Sequence, residues 1–383
     1  MARPGTGSPA GLGRASRWRR SQLRGPSHFK RLGPGIVNGA ADDDPSGIGT
    51  YSQVGAAFGF GLLWTTLATL PLAVAVQEAT ARLGLVTGKG LAALIREQFA
   101  RPVLVGAVVL VAVANTFNIG AMAAAAGLLV PVPYAVATVA FAMIMVMLEI
   151  AVPYHRYARV LRWLALSLLA YVGVLVVVQV DWADALAHTV VPRVHTDRAS
   201  LAALLAVFGT TISPYLFFWQ AGEEVEEQAE RHDLVDRDHL AAMRLDVVAG
   251  MGSGVGVMFA IMTTAAVTLG AHRAVQVSTA QQAAQALRPL AGPLAGLLFA
   301  AGIVGTGLLA VPVLAGSTAY AVAETLGWRE GLARGASQAR AFYAVIAVSI
   351  LVGVAMNFVG VSPIRALTWP RSSTAWPLRP CWC

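Results

Sequence analysis

Three consecutive aspartates, Asp42, Asp43 and Asp44, stand in an otherwise apolar stretch and are followed directly by Pro45. At the centre of a bilayer one such acid costs about 2.5 to 3.5 kcal/mol, so a triplet there needs a counter-charge or a function. A second polar residue before proline occurs in Phe208-Gly209-Thr210-Thr211-Ile212-Ser213-Pro214-Tyr215. Proline disfavours helical geometry in the residue before it and removes a backbone donor, so carbonyls near Asp44 and Ser213 are freed to face a cavity. A carboxylate beside loose carbonyls is a hard-oxygen site suited to a cation that sheds part of its water. The competing reading places the three acids at the membrane surface, where they merely cap a helix.

The elements that must position these residues are transmembrane helices. Hydrophobic residues make up 56% of the 383 and charged residues 13%, and the mean hydropathy is +0.63. A soluble domain carries about twice that charged share. Apolar runs predict helices over roughly 34–56, 58–82, 102–130, 134–153, 160–180, 199–221, 243–270, 287–325 and 341–360, one of them very long. The two proline breaks fall in the first and sixth of these spans. Five spans of offset are what an inverted repeat of two five-helix halves requires.

The net charge of +8 raises a nucleic-acid reading. Its distribution opposes it: the basic residues gather in the N-terminal tail and in short gaps between apolar runs, following the positive-inside rule. Partners are therefore expected to be the lipid bilayer and a small substrate, with no nucleic acid. The expected location is the cell membrane, multi-pass, with residues 1–32 as a disordered basic cytoplasmic tail and 33–369 as the transmembrane domain. The two cysteines, Cys381 and Cys383, offer neither a disulfide framework nor a zinc site. No zinc-protease or nucleotide-binding motif occurs, so no enzyme and no resident cofactor are expected.

These motifs resemble the NRAMP divalent metal transporters, which have the LeuT-type inverted-repeat fold. The resemblance rests on Gly33-Pro34-Gly35, on Asp44-Pro45-Ser46-Gly47 against the family's Asp-Pro-Gly-Asn, and on the segment from Ala81 and Arg82 to Lys89. It implies an all-α polytopic membrane protein with broken helices 1 and 6, and metal ligation by Asp44. Gly47 stands where the family has a coordinating asparagine, Thr210 aligns with a carbonyl ligand, and Ser213 replaces a methionine. Loss of that thioether weakens selection of transition metals over magnesium and calcium. Tyr215 replaces a family histidine, and the third helix offers Asn115 and Asn118 where the family has acids that serve proton coupling. The resemblance thus points to a branch moving Mn2+, Mg2+ or Fe2+ by alternating access without proton coupling, with Asp43, Asn115, Asn118 and Tyr215 as pathway candidates.

Alternatives stay open: an amino-acid or organic-amine carrier in which Asp44 meets an ammonium group, a non-transporting sensor, or an inactive product. Asn115 and Asn118 equally suit hydrogen bonding across helices. Glu149 is expected to pair with Arg156 or to snorkel, and the acidic run from Glu223 to Glu230 to form a solvated face. His232, Asp236 and His239 are read as surface residues, and Gly250, Gly252, Gly254 and Gly256 as a close-packing face. Residues 370–383 resemble neither a span nor a loop. One GC-rich back-translation of them, with codons of our choosing, reads as an apolar helix in another frame, so a frameshift and a truncated second repeat are expected.

Overall fold

A computed structural model describes residues 33–114, 118–152, 165–194, 196–231, 235–270, 280–332 and 334–359. The expected tails at 1–32 and 370–383, together with Asn115, Arg156 and His232, lie outside the described residues. In chain order the helices are α1 (Pro34–Asp42), α2 (Pro45–Phe58), α3 (Trp64–Thr87), α4 (Leu91–Gln98), α5 (Arg101–Ala114), α6 (Asn118–Leu129) and α7 (Tyr134–Ala151). They continue with α8 (Leu169–Val177), α9 (Trp182–Val190), α10 (Arg198–Thr211), α11 (Pro214–Arg231), α12 (Arg237–Thr268), α13 (Ala280–Leu326) and α14 (Arg340–Val359). Every expected span coincides with one of these helices or with a consecutive pair. Among the described residues α7, α12, α14 and the part of α13 from Leu294 to Leu326 are each long and apolar enough to cross a bilayer, as is the α10–α11 pair over Arg198–Ala229, and α2 and α3 meet at a 110° bend.

Both expected breaks are present, and their local cause is the same. Proline opens α1, α2 and α11 at the first helical position, where its missing N–H has no partner to lose. Asp44, the residue before Pro45, is extended at φ −67° and ψ 163°, as the ring of a following proline demands. The residues that end the preceding halves match closely, with Asp43 at φ −84°, ψ 51° and Ile212 at φ −104°, ψ 62°.

Three details differ from the sequence expectation. The very long helix is broken at Gly292, whose φ of 86° is left-handed, so the apolar span runs from Leu294 to Leu326. Two helices were not expected: α4 and α9 are short and charged or polar on one side, and a search for long apolar runs passes over them. Gly292 and the glycine-rich continuation read as one apolar run because hydropathy carries no information on φ.

The core around the first break is built from close backbone packing. α1 lies on α12, and α2 packs on the same helix. A Cβ placed on Gly39 would stand 2.0 Å from the Gly250 carbonyl oxygen, and one on Gly250 would stand 1.9 Å from that of Gly35. Small residues are what allow this approach in a membrane bundle. Of the four glycines expected to pack, Gly250 and Gly254 do so, whereas Gly252 and Gly256 face open space.

Candidate metal site at the helix breaks

The α1–α2 junction carries its three acids inward: Asp42, Asp43 and Asp44 are buried at 2%, 0% and 4% exposure. All three are thus shielded from solvent, and Asp44 also caps a helix. As N-cap of α2 its Oδ1 accepts from the Gly47 backbone N–H at 2.6 Å and from the Ser46 hydroxyl at 2.7 Å. Its Oδ2 accepts from the Asn118 side-chain amide at 3.0 Å, and the Asn118 Oδ1 in turn accepts from the Ser46 N–H at 3.1 Å. Asn118, at the start of α6, is therefore a holder of the Asp44 carboxylate. These hydrogen bonds fix one carboxylate orientation while leaving lone pairs on both oxygens.

Gly47 marks where the second break meets the first. A Cβ there would come within 3.2 Å of Asp44 Oδ1 and of the Asp42 carbonyl oxygen, and 3.4 Å from Thr210 Oγ1. The glycine leaves this spot open, with a carboxylate, a carbonyl and a hydroxyl around it. Thr210 thus joins the site through its hydroxyl. Its carbonyl, the group implied as a ligand by the family resemblance, accepts a 2.6 Å bond from the Ser213 hydroxyl, which also donates to the Gly209 carbonyl at 3.2 Å. Ser213 thus folds back on the carbonyls that the second break frees.

Tyr215 reaches the other way. Its hydroxyl donates to the Ala41 carbonyl at 2.9 Å, tying α11 to the open end of α1. Tyr51 and Thr211 share a second hydroxyl contact between the two breaks at 2.8 Å. Sequence reasoning had passed over Ser46, Tyr51, Thr211 and the Ala41 carbonyl. The sequence signalled Asp44 as an N-cap, since Asp is favoured there, but it did not signal these four partners.

With that geometry in place, the matches to known proteins are decisive for kinship. Residues 35–371 match the family described as Natural resistance-associated macrophage protein-like, Nramp. The chain belongs to the Nramp family. A divalent metal cation transporter MntH of Burkholderia ambifaria is 31% identical over 288 residues, covering 72% of this chain and 64% of that protein. A namesake from Verminephrobacter eiseniae is 28% identical over 366 residues, covering 90% of this chain and 80% of the relative. The match to the Burkholderia protein therefore spans just under two thirds of its length. Among solved structures, the manganese transporter of Eremococcus coleocola, in complex with an aromatic bis-isothiourea substituted compound, superposes with a TM-score of 0.73. Identity in that match is 20%, over 92% of this chain and 74% of the other. The Nramp chain is thus an all-α polytopic membrane protein of LeuT-type fold.

From the break, a polar line leads to one end of this Nramp bundle. The Asn38 amide donates to the Leu216 carbonyl and to Gln220 Oε1, at 3.2 and 3.1 Å, and Gln220 donates to Glu224 at 2.9 Å. Glu224 lines an open cleft with Gly33, Glu227, Gln228, His239 and Asp246. Asp246 of α12 closes that cleft over the start of α1, accepting from the Gly33 and Gly35 N–H groups at 2.9 and 2.6 Å. This carboxylate lies on the positive end of the α1 dipole, where an anion is stabilised.

Two expectations about acids are corrected here. Glu149 is 3% exposed, so it does not snorkel, and among the described residues neither carboxylate oxygen has a hydrogen-bond partner; its expected pairing with Arg156 falls outside the described residues. The Glu223 to Glu230 run is not wholly a solvated face, because Glu223 and Glu224 are buried. The Tyr320 hydroxyl donates to Glu223 at 3.2 Å and also to Glu226, which accepts from the Leu332 N–H at 2.7 Å. Beyond α13, burial pushes the Glu330 carboxyl up to about 8, helped by Glu324 and Glu226 and opposed by Arg334 and Arg96. Asp236 and His239 pair with each other at 2.8 Å at the start of α12, and among the described residues no group of three His, Cys, Asp or Glu is arranged to hold a metal.

Proposed function

We propose that this chain moves a divalent metal cation across the membrane by alternating access, with Asp44 as its charged ligand. The observation that carries the reading is the Asp44 carboxylate itself. It is buried at the junction of two half-helices, oriented by Ser46, Gly47 and Asn118, and set beside the Asp42 carbonyl and the Thr210 hydroxyl. Every donor there is oxygen. An all-oxygen set favours hard ions, so Mg2+ and Mn2+ rank ahead of Fe2+ and softer metals. The kinship supports the class of cargo, since both MntH relatives are described as divalent metal cation transporters.

Transport in this reading is not proton-coupled. The position after Pro214 holds Tyr215, committed to the Ala41 carbonyl, and Asn118 is a neutral amide committed to Asp44. Neither exchanges a proton near neutral pH. Proteoliposomes containing the full chain test both parts. Uptake of 54Mn2+ or Mg2+ that disappears in Asp44→Ala, with no accompanying acidification of the lumen, is the expected result. Equal flux in wild type and Asp44→Ala removes the site, and metal-dependent proton uptake removes the uncoupled mechanism.

A further inference from the structure

The corner of the bundle where α4 meets the end of α13 gathers basic and aromatic side chains that the transport site does not use. α13 stops in a turn after Leu326, with Gly327 at a left-handed φ of 70° and the Trp328 N–H donating to the Ala323 carbonyl at 2.9 Å. α4 lies against this end. Its Ala93 N–H donates to the Glu324 carboxylate at 2.8 Å, and Arg96 Nη1 donates to the Glu324 and Thr325 carbonyls at 2.7 and 3.3 Å. The same nitrogen stands 3.4 Å from where a Cβ on Gly327 would be, so Arg96 sits over the turn that carries Trp328 and Arg329. Arg101 opens α5 directly after the short link that follows α4.

These side chains face outwards. Arg96, Arg101 and Arg329 are exposed, and so are Phe99, Leu326 and Trp328, at 61%, 54% and 43%. Among the described residues no carboxylate forms an ion pair with any of the three arginines. The acids in the same segments are engaged elsewhere or uncharged. Glu97 pairs with Lys89 at 2.6 Å, Glu324 is buried against α4, and burial raises the Glu330 carboxyl to about 8, so it is mostly protonated at neutral pH. The corner is therefore a net positive patch with aromatic rings set among its charges.

Its height in the bundle decides what it meets. The apolar span of α13 ends at Leu326, and α5 leaves the corner with Val103, Val105 and Val109 more than half exposed. Surface suited to acyl chains thus runs up to the arginines. Aromatic rings at the end of an apolar span mark the headgroup level of a bilayer, and guanidinium groups at that level pair with phosphate. We propose that Arg96, Arg101 and Arg329 bind the phosphate of an anionic phospholipid, with Phe99 and Trp328 beside the headgroup and the acyl chains along α5. A guanidinium has five N–H donors, so Arg96 can hold the α13 carbonyls and a phosphate together. The lipid then braces α4 against α13. Three cations favour a headgroup of net negative charge over a zwitterionic one, whose own ammonium group they repel. The site rests on the membrane fold alone and not on the cargo assigned to Asp44.

Native mass spectrometry of the purified full chain in dodecyl maltoside tests it, with palmitoyl-oleoyl phosphatidylglycerol or phosphatidylcholine added in turn. Wild type should hold its first phosphatidylglycerol about tenfold more tightly than its first phosphatidylcholine. The triple change Arg96→Gln, Arg101→Gln and Arg329→Gln should bring that preference below about threefold, while Arg193→Gln with Arg198→Gln, at the start of α10, should leave it intact. Equal affinity of wild type for the two lipids overturns the proposal. So does a preference that survives the triple change, or one that falls equally in the α10 pair. Displacement of phosphatidylglycerol by glycerol 3-phosphate, which has no acyl chains, overturns it in favour of a soluble phosphate ligand. Should the triple variant fail to fold, Arg101→Gln with Arg329→Gln keeps the Arg96 contacts to α13 and decides by the same criterion. None of these outcomes depends on metal flux, so failure here leaves the reading of Asp44 to its own test.

Discussion

The two helix breaks share backbone geometry and differ in chemistry. At each, a residue with ψ near 50° to 60° ends one half, and a proline starts the next. The first break places three carboxylates in the interior, with oxygens left unmatched on Asp42 and Asp43. The second places only hydroxyls there, and it satisfies its own carbonyls through Ser213. Proline and a polar residue thus suffice to open a helix in a membrane, and the side chains then decide whether the opening is a site or a repaired hinge. On this view charge sits on one repeat and adaptable neutral oxygen on the other.

The largest effect should come from making the first break resemble the second. Asp44→Ser retains a helix cap and removes the charge, so Mn2+ or Mg2+ binding should weaken by about a hundredfold or more, equivalent to roughly 2.7 kcal/mol. Isothermal titration on the purified chain gives the number. A change under threefold would mean that the asymmetry in charge between the breaks has no bearing on the ion.

Next is a change that makes the second break a ligand. Ser213→Met removes the hydroxyl that occupies the Thr210 carbonyl and supplies a thioether. Preference for Cd2+ over Mg2+ should rise by about tenfold, since soft sulfur selects soft ions. Competition binding reads this directly. Unchanged preference would show that position 213 does not face the ion. A smaller effect is expected at the bridge between the breaks. Tyr215→Phe leaves the buried Ala41 carbonyl without its donor, and thermal unfolding in detergent should show a loss of about 1 kcal/mol.

Much of this contrast was legible in the residues, because proline and hydropathy act locally. The breaks at 44–45 and 213–214 followed from a polar residue before proline, and burial of Asp44 followed from the apolar run around it. What stayed hidden depends on partners distant in sequence. Asn118 was placed on the third span, but its role as holder of Asp44 comes from a contact 74 residues away. Thr210 was expected to act through its carbonyl, and nothing local to it showed that Ser213 would claim that atom. Glu223 and Glu224 read as solvated because a charge run says nothing about what packs over it. Asp246, with apolar neighbours on both sides, was overlooked as the group that grips the start of α1.

The anchors at the ends of the two broken helices away from their breaks extend the comparison and yield the smallest effect. α1 is gripped at its first turn by one carboxylate, Asp246, through two backbone N–H groups. α11 is held near its end through Glu226, which lies among other acids, Glu324 and Glu330. Crowding and burial raise the Glu330 carboxyl to about 8, above its ordinary value of 4.5, so the folded state prefers it protonated. Its contribution to stability is therefore full below about pH 4.5 and is lost as pH climbs through about 8. Glu330→Gln removes the titration. Its unfolding temperature should exceed that of wild type by a margin that widens from pH 5 to pH 8.5, with the two converging at the acid end. Parallel profiles would show that the α11 anchor is no more sensitive to charge than the α1 anchor, and the contrast between the two helices would then be confined to their breaks.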